Sequence, residues 1–195
     1  MKRYLALGDS YSIGECVQVN ERWPVRLTQR LNEKDWQIES TTIIATTGWR
    51  TDNLRVALEI ANLKPGYDLV SLLIGVNNQY QGKSSDDYKT EFVQLLDSAI
   101  QLSKKKEGTF VVSIPDYGFT PFGQAKQKEI SRDIDLFNEI NKRIAEDRGV
   151  SYFDITDISR EGLEKPDLIA SDGLHPSGSM YRLWVDRIVK GLTSN

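Results

Sequence analysis

Apolar side chains gather in five short runs, at residues 4–7, 41–45, 69–74, 110–114 and 150–153, with polar or turn-forming residues at their ends. Runs of this length suit buried strands and are too short for helices. Between them the spacing changes. Tyr88, Phe92, Leu95, Leu96, Ala99 and Ile100 fall on one helical face, as do Ile130, Ile134, Phe137, Ile140 and Ile144. Ser84 or Ser85 can cap the first of these helices, with Asp86 and Asp87 at its positive end. Residues 104–106, all lysine, are expected as a solvated stretch at its negative end before Gly108. The second helix is expected to stop at Gly149, and shorter ones to follow Pro24, Asp52 and Ser177.

Strands that alternate with helices predict βαβ units, and right-handed crossovers then collect the strands into one mostly parallel sheet of about five, covered on both faces. The fold class is α/β. No repeat, linker or low-complexity tract divides the chain, so residues 1–195 are expected to form one domain. Ligands of such sheets bind beyond the carboxyl ends of the strands. That rule brings together Gly8-Asp9-Ser10, Thr46-Thr47-Gly48, Gly75-Val76-Asn77-Asn78, Pro115-Asp116-Tyr117 and, after a longer excursion, Ser171-Asp172-Gly173-Leu174-His175-Pro176.

Composition narrows the chemistry. With 39% apolar and 27% charged residues, collagen-like and disordered classes are excluded. Lys+Arg 25 against Asp+Glu 28 leaves a net charge of -3, so no basic field invites nucleic acid or an anionic membrane. No stretch approaches the length of a membrane span. The first apolar run ends at Gly8-Asp9-Ser10, too short for a signal core, so a cytoplasmic location is the expectation unless a leader has been removed. Cys16 is the only cysteine and His175 the only histidine, so an intrachain disulfide is excluded and a zinc site built on several N or S ligands is not expected.

Carboxylates, hydroxyls and one imidazole remain to do chemistry. Ser10, Asp172 and His175 supply a nucleophile, a group to orient the base, and the base itself. Attack on a carbonyl also makes an oxyanion, for which the Ser10 N–H, the Gly48 N–H and the Asn77 amide are candidate donors. At Gly48 the missing side chain is expected to permit close approach. Each piece has a plainer reading: Ser10 as a cap or phosphate contact, His175 as a structural residue, Gly48 as a turn, Asn77 and Asn78 as Asx-turn formers. Asp9 and Asp116 are expected to be structural, because no second histidine exists for either to orient.

With these residues in place, the chain resembles the SGNH/GDSL hydrolase family, whose four defining residues look like Ser10 in GDSYSIG, Gly48 in ATTGWRT, Asn77 in GVNNQ and His175 in DGLHPS. Asp172 matches the family's triad acid. The resemblance implies a three-layer α/β/α fold similar to flavodoxin, ester hydrolysis through an acyl-enzyme, and neither metal nor organic cofactor. Two positions depart from the pattern: Tyr11 replaces the usual leucine, and Asn78 stands where an aspartate is often found, leaving open how the Asn77 loop is held. Tyr11, Trp49, Asn78, Tyr80, Phe119 and Phe122 are candidates for the substrate pocket. The expected partner is a small ester with a short acyl group, since no irregular segment is long enough for a lid domain. A thioesterase, a lysophospholipase, a carbohydrate acetylesterase and a catalytically silent flavin- or phosphate-binding module stand as alternatives. The absence of Gly-x-Ser-x-Gly argues against a nucleophile elbow.

Overall fold

The five apolar runs become five strands in the computed structural model, which describes residues 2–194. They are β1 (Lys2–Gly8), β2 (Ile38–Ala45), β3 (Leu69–Leu73), β4 (Thr109–Val112) and β5 (Ser151–Phe153). Every pairing is parallel and the order is β2-β1-β3-β4-β5. Tyr4 to Gly8 of β1 pair in register with Leu69 to Leu73 of β3. All five residues of β3 are buried, as a strand covered on both faces requires, whereas the edge strand β2 is buried only at its two ends, with Glu39 and Ser40 exposed and Thr41 to Ile44 half-buried.

The helices are α1 (Ser10–Ile13), α2 (Trp23–Asn32), α3 (Thr51–Ala61), α4 (Val76–Tyr80), α5 (Ser85–Leu102), α6 (Gln127–Arg148), α7 (Thr156–Ser159) and α8 (Gly178–Thr193). α2 and α8 pack together on one face of the sheet; α3, α5 and α6 cover the other, giving three layers. Their inward stripes, including Leu27 and Leu31, Phe92 and Leu96, and Trp184 and Ile188, are essentially inaccessible and belong to one continuous core. Truncating such a leucine to alanine costs about 2–5 kcal/mol.

Local chemistry sets the helix ends. Ser84 caps α5 by accepting from the Asp87 N–H at 3.1 Å, and Ser177 caps α8 by accepting from Ser179 and Met180. Gly149 closes α6 in the left-handed conformation at φ +65°. The lysine run differs from the reading above: α5 already ends at Leu102, and Lys104 pairs with Asp68 at 2.8 Å beyond the helix. A specific carboxylate at the start of β3 outcompetes the diffuse attraction of a helix end.

Because β1 is followed by β2 on one side and β3 lies on the other, the chain reverses direction across the sheet between β1 and β3. That reversal opens a crevice at their carboxyl ends, where the candidate site lies.

Candidate active site

The turn from β1 into α1 is tight. A Cβ at Gly8 would come within 2.6 Å of the Leu73 carbonyl oxygen, so only glycine fits beside β3. Asp9 then caps α1, its Oδ1 accepting from the Tyr11 N–H at 3.0 Å. Its other carboxyl oxygen is buried and unpartnered among the described residues, and burial pushes the group up to about 7. Ser10 is the first residue of α1 and therefore carries an amide that the helix leaves free. Ser10 lines a cleft of about 190 Å³.

Asp172 and His175 enter from the turn preceding α8. The Leu174 and His175 amides both donate to Asp172 Oδ1 at 3.0 Å, which leaves Oδ2 to accept from His175 Nδ1 at 2.5 Å and from the Cys16 thiol at 3.4 Å. Partial burial alone would raise the Asp172 carboxyl; the bonds from the His175 ring, the two amides and the thiol outweigh it and hold the carboxyl at about 2. Asp172 is therefore charged at any working pH. Tyr11 stacks edge-on to the His175 ring, with centroids 5.9 Å apart. Ser10 and His175 line the same cleft without a direct hydrogen bond among the described residues. Such bonds are often long before substrate arrives.

The opposite wall comes from the ends of β2 and β3. Gly48 has φ +83°, and an added Cβ would meet nothing within 4 Å. Backbone conformation, more than crowding by protein atoms, is what calls for glycine there. Asn77 donates through Nδ2 to the Trp49 carbonyl at 2.9 Å while lining the cleft. Asn78 turns away, fully buried: its Oδ1 accepts from the Thr51 N–H at 3.1 Å and its Nδ2 donates to Thr51 Oγ1 at 2.6 Å. An asparagine thus splices α4 to the start of α3, which is how the loop carrying Asn77 is held.

Ser10, Tyr11, Gly48, Asn77, Tyr80, Phe122 and His175 share the cleft with Thr47, Val76, Tyr117 and Leu174. Three pocket candidates lie elsewhere. Asn78 is buried behind the wall, Trp49 packs against the core and reaches the site only through its carbonyl, and Phe119 lies 6.0 Å from the Arg160 guanidinium. Thr47, Val76, Tyr117 and Leu174 are lining residues that the sequence reading did not name for the pocket, and Tyr117 is the aromatic one among them. It follows Asp116 at the rim of β4, and that rim position was the available signal. Asp116 itself is buried and paired with Arg160 at 2.9 Å.

The Cys16 thiol, an Asp172 oxygen and a His175 ring nitrogen all lie within 4.8 Å of one another. Among the described residues, no helix is long and apolar enough to cross a membrane.

Sheet order and a cleft at the β1/β3 reversal define a doubly wound α/β protein, with an aspartate-bound histidine and a serine lining the same cleft. The chain belongs to the GDSL-like Lipase/Acylhydrolase family, whose model matches residues 6–183. No curated protein matches the sequence. Among solved structures it is similar to TesA, at 14% identity and TM-score 0.77 over 99% of each chain. The psychrotrophic esterase EstA from Pseudoalteromonas sp. is 20% identical, with TM-score 0.70 over 100% of both chains. Axe2, an acetylxylan esterase from Geobacillus stearothermophilus, is 19% identical, with TM-score 0.72 over 98% of this chain and 94% of its own. Family and esterase neighbours together support an ester hydrolase.

Proposed function

We propose that the protein hydrolyses short acyl esters through an acyl-enzyme on Ser10. The observation that carries this reading is the Asp172–His175 bond of 2.5 Å, which holds the imidazole at the cleft that Ser10 also lines. A neutral imidazole whose Nδ1–H is held by a carboxylate presents a bare Nε2, the form that can take a proton from serine. Ser10 Oγ attacks the ester carbonyl as Nε2 takes its proton, and the Ser10 and Gly48 amides with the Asn77 side chain receive the oxyanion. Collapse returns the proton to the departing alcohol; water then repeats the sequence on the acyl-enzyme. Asp172 stays ionised throughout and stabilises the imidazolium.

A second observation bears on the alcohol. Tyr80 and Phe122 are 60% and 54% exposed at the cleft mouth, and with Tyr117 they form a cluster with ring centroids 6.2–6.4 Å apart. Beyond that cluster lies a groove of about 460 Å³ walled by Gln79, Lys126, Glu129 and Asp133. Aromatic faces beside carboxylate and amide side chains suit a neutral, polyhydroxylated alcohol such as a sugar, which offers C–H faces to the rings and hydroxyls to the polar wall. Phosphate-bearing leaving groups, as in coenzyme A thioesters and lysophospholipids, would face two carboxylates and a single lysine.

The test is a panel of acetyl esters assayed with wild type, Ser10→Ala and Tyr80→Ala. Ser10→Ala should lose all but about a thousandth of the activity on every ester. Tyr80→Ala should raise KM for an acetylated sugar and leave p-nitrophenyl acetate unaffected. Faster turnover of acetyl-coenzyme A than of the sugar ester would reject the neutral-alcohol reading while leaving the serine chemistry intact.

A further inference from the structure

We propose that Cys16, Asp172 and His175 form an inhibitory site for a zinc-class divalent cation. Cys16 lies in the loop after α1, and the other two lie more than 150 residues later, so only the fold brings them together. Their ligand atoms all lie within 4.8 Å of one another, with Sγ 3.4 Å and Nδ1 2.5 Å from the same carboxylate oxygen, Oδ2. A tetrahedral zinc ion with bonds of about 2.0–2.3 Å holds its ligands roughly 3.3–3.8 Å apart. The thiol–carboxylate pair already has that spacing; the ring and carboxylate need to separate by somewhat under an ångström. A small rotation of the Asp172 side chain accomplishes this, and Cys16 and Asp172 are both exposed, so an ion can enter from solvent.

The donor set is one that zinc prefers. Thiolate, imidazole and carboxylate are its three common ligand types, and three protein ligands leave a fourth position for water. In the metal-free protein a thiol S–H and a ring N–H converge on Oδ2; the cation takes the place of both hydrogens. Binding forms Zn–S, Zn–N and Zn–O bonds. The thiol proton leaves to solvent, and the ring proton moves from Nδ1 to Nε2 by exchange with water. One proton is released, and the dipositive ion is neutralised by thiolate and carboxylate.

Inhibition follows from that tautomer. With its Nδ1 lone pair on the metal, the imidazole carries its remaining proton on Nε2 and can no longer accept one from Ser10. Apart from His175, the residues lining the cleft are not ligands, so substrate binding persists while turnover stops. This consequence for activity rests on the proposed serine chemistry; occupation of the site does not.

Two readouts separate those claims. Cobalt(II) titrated into the metal-free protein should produce a thiolate-to-cobalt charge-transfer band in the near ultraviolet, and Cys16→Ser should abolish it. Zinc should inhibit ester hydrolysis reversibly, with EDTA restoring the full rate. Measured against each variant's own metal-free rate, Cys16→Ser and Cys16→Ala should need at least about tenfold more zinc, since loss of even an outer-shell partner costs about 10–100-fold in metal affinity. No charge-transfer band in the wild type would overturn the site, as would variants inhibited at the wild-type zinc concentration. A band without inhibition would uphold the site and refute the role given to His175.

Discussion

Asn77 and Asn78 are neighbours with opposite duties, and their side chains test the account separately. Asn77 is held by the Trp49 carbonyl and faces the cleft, so Asn77→Ala should lower kcat by about 10²–10³ with little change in KM. A pure KM effect would refute its oxyanion role. Asn78→Ala should act first on stability: it strips the buried Thr51 N–H of its partner and the Thr51 hydroxyl of a donor, leaving the hydroxyl only its bond to Glu91, at about 1–3 kcal/mol. Urea unfolding measures that loss, and kcat should fall less than for Asn77→Ala. Asp9 makes a pH-dependent prediction. Its carboxyl is raised from the ordinary value to about 7 by burial, so the folded state holds its proton more tightly than the unfolded chain. The associated stability is complete below about pH 4 and is lost as pH rises towards 7. Unfolding free energies of Asp9→Asn and wild type should diverge across that window in favour of the variant, by on the order of a few kcal/mol. Parallel curves would show that Asp9 is solvated.

At the scale of elements, the strands, the long helices and their caps were legible because each follows from local spacing: Ser84, Ser177 and Gly149 sit where a cap or a left-handed stop is required. The convergence of Ser10, Gly48, Asn77 and His175 on one rim was also legible, since it follows from strand order. Side-chain direction was not. Whether Trp49, Asn78 and Phe119 face the cleft depends on the twist of each loop after its strand, and on partners such as Thr51 and Arg160 that lie far away in sequence. The meeting of Cys16 with Asp172 was hidden for the same reason. The loop after β2 offers a direct check. Gly48→Ala meets no neighbour but must hold φ near +83°, so it should lower stability by roughly 1 kcal/mol, visible in Tm. Relaxing that strain would turn the amide away from the cleft, and kcat should fall with it. An unchanged kcat would remove Gly48 from the oxyanion site.

Across the whole molecule, the apolar cleft is small and its continuation is polar, so the size of the acyl group should be limited by what the cleft can shelter. In a p-nitrophenyl ester series from acetate to palmitate, kcat/KM should level or decline beyond about four to six carbons. A buried chain would instead gain about 0.8 kcal/mol, roughly fourfold, per added CH₂. A climb sustained to about ten carbons would point to an apolar tunnel and reverse the assignment of acyl and alcohol sides. The central claim is that one hydroxyl, Ser10, is activated by the His175–Asp172 pair. Reaction with an organofluorophosphonate followed by peptide mass mapping tests it most directly. One adduct per chain is expected on the peptide carrying Ser10, formed in step with loss of activity and absent from His175→Ala. An adduct on any other residue, or full inactivation with Ser10 unmodified, would contradict it.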